Sequence, residues 1–196
     1  MIAVKDVPGF YVNRCLGPFL TEAMALTQQG ADPLAINSAL LDFGMPVGGV
    51  TLCDEVGIDV SHGTHTHTAL PLTRGRSRPP LAQEFRDPAK DASQLSKEQL
   101  VERMMMRFIV EALYCLQDGV IRNARDGDVA AVMGIGFPPF RGGPFMYIDK
   151  LGADHVVSRL KALEAEHGAQ YAPPEILLKH AKDGTPFISS APEPEA

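Results

Sequence analysis

The sequence predicts an all-helical protein, and three observations carry that prediction. Apolar residues recur at three-and-four spacing, a long segment recurs in a second copy, and alternating runs of strand length are scarce throughout. In the first half, Val12, Leu16, Phe19, Leu20, Ala23 and Leu26 fall on one face of a helix that should bury itself against a neighbour. Pro18 sits inside that helix and cannot donate to the carbonyl of Arg14, so the helix is expected to bend and leave a polar group beside Asn13. Local rule-breaking of this kind gathers at sites, which makes Asn13 a candidate.

The second copy is legible by alignment of the two halves. "RCLGPFLTEAMALTQQG" runs in register with "RMMMRFIVEALYCLQDG", so that Arg14, Glu22 and Gly30 match Arg103, Glu111 and Gly119 at a constant offset. "FGMPVGGVTLCDEVGID" faces "IGFPPFRGGPFMYIDKLGAD", where Pro46 matches Pro138 and Asp54, Gly57 and Asp59 match Asp149, Gly152 and Asp154. The offset drifts only in the turns, as it does when packed elements keep their length and loops take the insertions.

Punctuation places the remaining elements. The long helix of each copy should stop at Gly30 or Gly119, where glycine takes a left-handed cap. A second helix follows "ADP" in the first half, with Asp32 as N-cap and Pro33 at the first helical position, and follows "ARDGD" in the second. A Pro/Gly turn then leads to short helices over Leu52–Val56 and Phe145–Leu151. "GADHVVSRLKALEAEHG" continues as an amphipathic helix, and Pro173 opens a last one through Leu178 and Ala181. The expected organisation is a first repeat over 1–61, a poorly ordered linker over 62–95, a second repeat over 96–188 and a disordered tail over 189–196.

Composition bounds the function. Among 196 residues the apolar fraction is 45%, enough for a real core, and the net charge of −6 argues against nucleic acid as a partner. The basic "TRGRSRPP" run reads as a solvated linker. Cys15, Cys53 and Cys115 stand singly in apolar segments, which suits buried free thiols in a reducing, cytoplasmic compartment. No apolar run has the length of a membrane span. His62, His65 and His67 in "HGTHTH" lack companion cysteine or carboxylate ligands, so no metal site is expected there.

The stretches "KDVPGFYVNRCLGPFLTEA", "FGMPVGGVTLCDEVGID" and "GIGFPPFRGGPFMYIDKLGA" together closely resemble the C-terminal region of 3-hydroxyacyl-CoA dehydrogenases, nearest the multifunctional α-subunits of fatty-acid β-oxidation complexes. The resemblance implies two tandem copies of a helical unit of the 6-phosphogluconate dehydrogenase C-terminal type. It also implies oxidation of an L-3-hydroxyacyl-CoA with NAD, in which a Rossmann domain holds the cofactor and a His–Glu pair. The family's active-site asparagine stands in the PGF-x-x-N-R motif, which here is Asn13. Arg14 is expected to be structural, with Glu22 or Asp54 as possible partners. The second copy has Glu102 and Arg103 in place of Asn13 and Arg14, which implies a structural or dimer-like role for that half.

The departures from the family matter equally. No Gly-x-Gly-x-x-Gly follows a strand, and "GIGFPP" ends in prolines after a helix, so no NAD site is expected. The chain opens immediately before the motif, none of its six histidines stands in a matching one, and the interval between the copies is shorter than the family's, as an internal deletion or altered reading frame would leave it. The expected role is therefore a substrate-side and dimerisation module, inactive alone and completed by a separate NAD-binding domain. The rival expectations are a non-catalytic interaction protein and, less well supported, an acyl-CoA-binding protein. A homodimer and a thiolase partner follow only by analogy.

Overall fold

In the computed structural model, residues 2–56 and 91–188 are described. Among them are eight α-helices, two short 3-10 turns and no strand. The helices are α1 (Val12–Gln28), α2 (Pro33–Phe43), α3 (Gly49–Val56), α4 (Lys97–Gln117), α5 (Ala124–Ile135), α6 (Pro144–Leu151), α7 (Ala153–His167) and α8 (Glu175–Asp183). They group into two compact units, Leu16–Arg107 and Met1–Cys15 with Phe108–Ala196, each taken over its described residues. The His62, His65 and His67 cluster, the basic run and the tail lie outside the described residues.

In the Leu16–Arg107 unit, α1 runs unbroken through Pro18 and buries Phe19, Ala23 and Leu26 completely. It ends as the glycine predicts: Gly30 is left-handed, its N–H bonds the carbonyl of Thr27 and that of Ala31 bonds Leu26. Asp32 caps α2 by accepting the N–H of Leu34 at 3.0 Å, with Pro33 at the first position. α3 has no cap of its own in sequence. Its first N–H groups, from Val50 and Thr51, point instead at the Oδ1 of Asn37 on α2, at 3.0 and 3.3 Å. Gly48 is glycine because a Cβ there would run into Asn37. Gly49 likewise lets α3 settle against Met104, Leu40 and Ala23. At the far edge of this unit Ala92 is buried, and its N–H bonds the Gln29 carbonyl at 2.8 Å.

The other unit repeats these devices with different residues. Gly119 is left-handed, its N–H bonds Leu116, and Val120 bonds Cys115, the same cap as at Gly30. The second helix of this copy starts at Ala124 rather than after "ARDGD", because Asn123 supplies the N-cap, accepting the Asp126 N–H at 2.8 Å. α6 begins on a borrowed acceptor, as α3 does: Asp128 of α5 accepts the N–H groups of Phe145 and Met146 at 2.7 and 3.1 Å. A Cβ at Gly143 would strike Asp128, and one at Gly127 would strike Phe145. Asp149 in turn receives the N–H groups of Phe187 and Ile188. Phe108, Phe137, Phe145, Ile148, Leu160, Tyr171 and Leu177 fill the core of this unit.

Candidate functional site

The approach to α1 is built from "VPGF". The Phe10 N–H bonds the Val7 carbonyl at 2.9 Å, with Pro8 second and Gly9, at φ 78°, third, the order of a type II turn. Phe10 follows at φ 49°, the one non-glycine residue with positive φ among those described. That backbone costs an aromatic L-residue on the order of 1–2 kcal/mol. Phe10 recovers little by packing, since 52% of it is exposed.

Tyr11 then turns inward and is buried, with its hydroxyl near the Cys15 thiol. Burial pushes its phenol well above the ordinary value, with Cys15, Asp128 and Cys115 adding to the effect. Val12 packs against α5 where Gly134 leaves room, since a Cβ there would sit 2.8 Å from the valine methyl.

Asn13 stands in the first turn of α1, exposed, and its amide bonds no described residue. It lies inside the helix, so it is not the residue that caps it. An amide can donate through Nδ2 and accept through Oδ1.

Arg14 anchors this turn, but through neither of the carboxylates expected from the sequence. Its guanidinium binds Glu111 of α4, with Nε at 2.7 Å and the second nitrogen at 2.6 Å, and approaches Asp118 at 3.6 Å. Partial burial opposes its charge, yet the hydrogen bond to Glu111 and the neighbouring carboxylates outweigh that and raise its pKa. The reason for the different partner is geometric. Glu22 lies eight residues along the same helix, roughly 12 Å away at 1.5 Å per residue, beyond comfortable reach. Glu22 is taken instead by the second copy's arginine: Arg103 binds Glu22 and, at 2.8 Å, the Oε1 of Gln29, all buried.

The thiols are buried and free, as composition implied. Burial pushes Cys53 up to about 12 and raises Cys15 well above its usual value, so neither is a thiolate at neutral pH. No group of three metal-ligating side chains occurs among the described residues. Nor is any described helix long and apolar enough to cross a membrane.

The glycines of "GIGFPP" do not fit a dinucleotide. Its pyrophosphate rests on a strand–turn–helix, whereas here Gly134 meets Val12 and Gly136 is the left-handed cap that ends α5. The glycines of "GIGFPP" are thus occupied by packing and by helix termination.

A family model described as "3-hydroxyacyl-CoA dehydrogenase, C-terminal domain" matches residues 9–98 and again 100–186. The chain is 37% identical to the fatty acid oxidation complex subunit alpha of Shewanella loihica over 220 aligned positions, covering 95% of this chain and 31% of that protein. It therefore spans about a third of that relative's length. Among solved structures, 3-hydroxybutyryl-CoA dehydrogenase from Escherichia coli K12 superposes with a TM-score of 0.69 at 20% identity, over 92% of this chain and 61% of that one, which shows a shared fold. With the family model matched twice along the chain, and the PGF-x-x-N-R turn formed around an exposed Asn13, this protein belongs to the 3-hydroxyacyl-CoA dehydrogenase C-terminal domain family.

Proposed function

We propose that the chain forms the substrate side of an NAD-dependent L-3-hydroxyacyl-CoA dehydrogenase, with Asn13 as the catalytic amide, and that it oxidises nothing by itself. The observation that carries this reading is the exposed amide of Asn13, which bonds no described residue and is mounted on a helical turn that the Arg14–Glu111 pair holds in place. Hydride transfer requires a positioned nicotinamide and a base for the hydroxyl proton. Asn13 suits a third role, because its amide can orient a catalytic imidazole or hold the substrate oxygen while the proton leaves. NAD, the imidazole and its carboxylate partner come, in this reading, from a dinucleotide-binding domain that completes the site.

The test is direct. The purified chain, mixed with L-3-hydroxybutyryl-CoA and NAD, is expected to form no NADH; formation of NADH without a second protein ends the claim. With a dinucleotide-binding half added, turnover should appear, and Asn13→Ala should then lower it about 100-fold without changing association of the halves. Unchanged turnover removes Asn13 from the mechanism. For the second copy the position of Asn13 is occupied by Glu102, which supports a structural, non-catalytic role for that half.

A further inference from the structure

The geometry points to Phe10 as a specificity-determining residue, an aromatic wall beside Asn13 that contacts the acyl part of the thioester. This rests on the reading of Asn13 given above and extends it to a second side chain. Phe10 is the residue of the turn with no structural excuse. Its position demands a left-handed backbone, which glycine or asparagine would adopt more easily, and more than half of its surface is exposed. An aromatic ring kept where its backbone is disfavoured and its packing is poor points to a use outside the fold.

Its surroundings fit an acyl group. Phe10 precedes Asn13 by three residues, so an exposed apolar ring and an exposed amide flank the same turn. On the neighbouring helix, Met133 is 81% exposed and adjoins Gly134, the residue that abuts Val12. One polar group with apolar surface around it is the usual composition of a small-molecule site. A 3-hydroxyacyl thioester matches it, with oxygens for the amide and a hydrocarbon chain for the ring.

The test separates a functional ring from a structural one by asking for effects of opposite sign. In the full chain, Phe10→Gly relieves the backbone, so its thermal midpoint should equal or exceed the parent's, while Phe10→Leu keeps the strained backbone and should unfold no later than Phe10→Gly. Hexanoyl-CoA is the probe, followed by chemical-shift changes of the Asn13 side-chain amide, with free CoA as the control. The parent is expected to bind hexanoyl-CoA, Phe10→Gly to bind at least threefold more weakly, and Phe10→Leu to fall between them. A Phe10→Gly protein that binds as the parent does, or that unfolds earlier, overturns the inference. If Asn13→Ala abolishes the probe response while Phe10→Gly leaves it intact, the proposed role of Asn13 survives and that of Phe10 does not. If the parent's Asn13 amide shows no response to hexanoyl-CoA beyond that to free CoA, both fall.

Discussion

Arg103 and Arg14 occupy the same place in the two copies of the long helix, yet they live in different surroundings. Each reaches the glutamate of the opposite copy, Arg103 to Glu22 and Arg14 to Glu111, and each has a second partner seven residues further on, Gln29 or Asp118. The first pair is sealed, with both side chains 6% exposed, whereas the second is open, at 25% and 20%. Repetition supplied the same ion pair twice, and burial decides what each is worth. A sealed pair adds little over a well-packed apolar one, but losing one partner strands a charge; an open pair is screened by water. The open pair is also the one beside Asn13.

Removing a carboxylate from each pair should have the largest and most unequal effects. Glu22→Gln removes the carboxylate that the buried Arg103 binds and should cost about 3–5 kcal/mol. Glu111→Gln should cost less than about 1 kcal/mol. Urea denaturation of both variants measures the gap, and equal losses would mean that burial does not set the difference.

The borrowed caps offer a second contrast. Asn37 and Asp128 do the same work for α3 and α6, but only Asp128 titrates. Burial pushes its carboxyl up to about 7, against the lowering effect of the two N–H groups it accepts and with Asp149 reinforcing the rise. The unfolded value is about 3.9, so the native chain holds this proton more tightly. The stabilisation is complete below about pH 4 and is lost as pH rises to about 7, on the order of 3 kcal/mol across the window. Asp128→Asn should flatten that slope. Asn37 accepts both N–H groups on one oxygen, whereas Asp128 uses one oxygen for each, so Asp128→Asn should also lose the bond to Met146 and lower stability at every pH. Stability measured from pH 4 to 8 that is equally steep in both proteins would assign the titration elsewhere.

The smallest effect concerns Gly17, which faces open space inside α1 where the second copy has Met106. Gly17→Ala should raise stability by about 0.5–1 kcal/mol, read as a higher denaturation midpoint. A loss would mean that the stretch around Pro18 needs the freedom of glycine.

Much of this architecture is legible in the letters because it is local. Gly30 and Gly119 end their helices, and Asp32 caps the next one, through bonds that span only a few residues. Asn13 is singled out by the proline inside its helix and by its motif, since an exposed amide has no periodicity to betray it. What escapes is whatever depends on distant partners. A recurring arginine and glutamate do not reveal that the copies exchange them, although the spacing within one helix excludes the self-pairing of Arg14 with Glu22. The caps from Asn37 and Asp128 reach across 13 and 17 residues, a separation that no local pattern signals. At the start of α5 the acidic "ARDGD" reads as a lead-in; the competing cap, Asn123, sits one residue earlier and wins. The left-handed backbone of Phe10 carries no warning at all, because its residue type is the wrong one for it.

The crossed ion pairs have a consequence for how the two matching halves can change. Were the halves made as separate products, each would inherit a cation and a carboxylate destined for the other, so neither would be electrically self-sufficient. A change in one half is therefore tied to the sequence of the other, since a new residue at Glu111 is felt at Arg14 and one at Glu22 at Arg103.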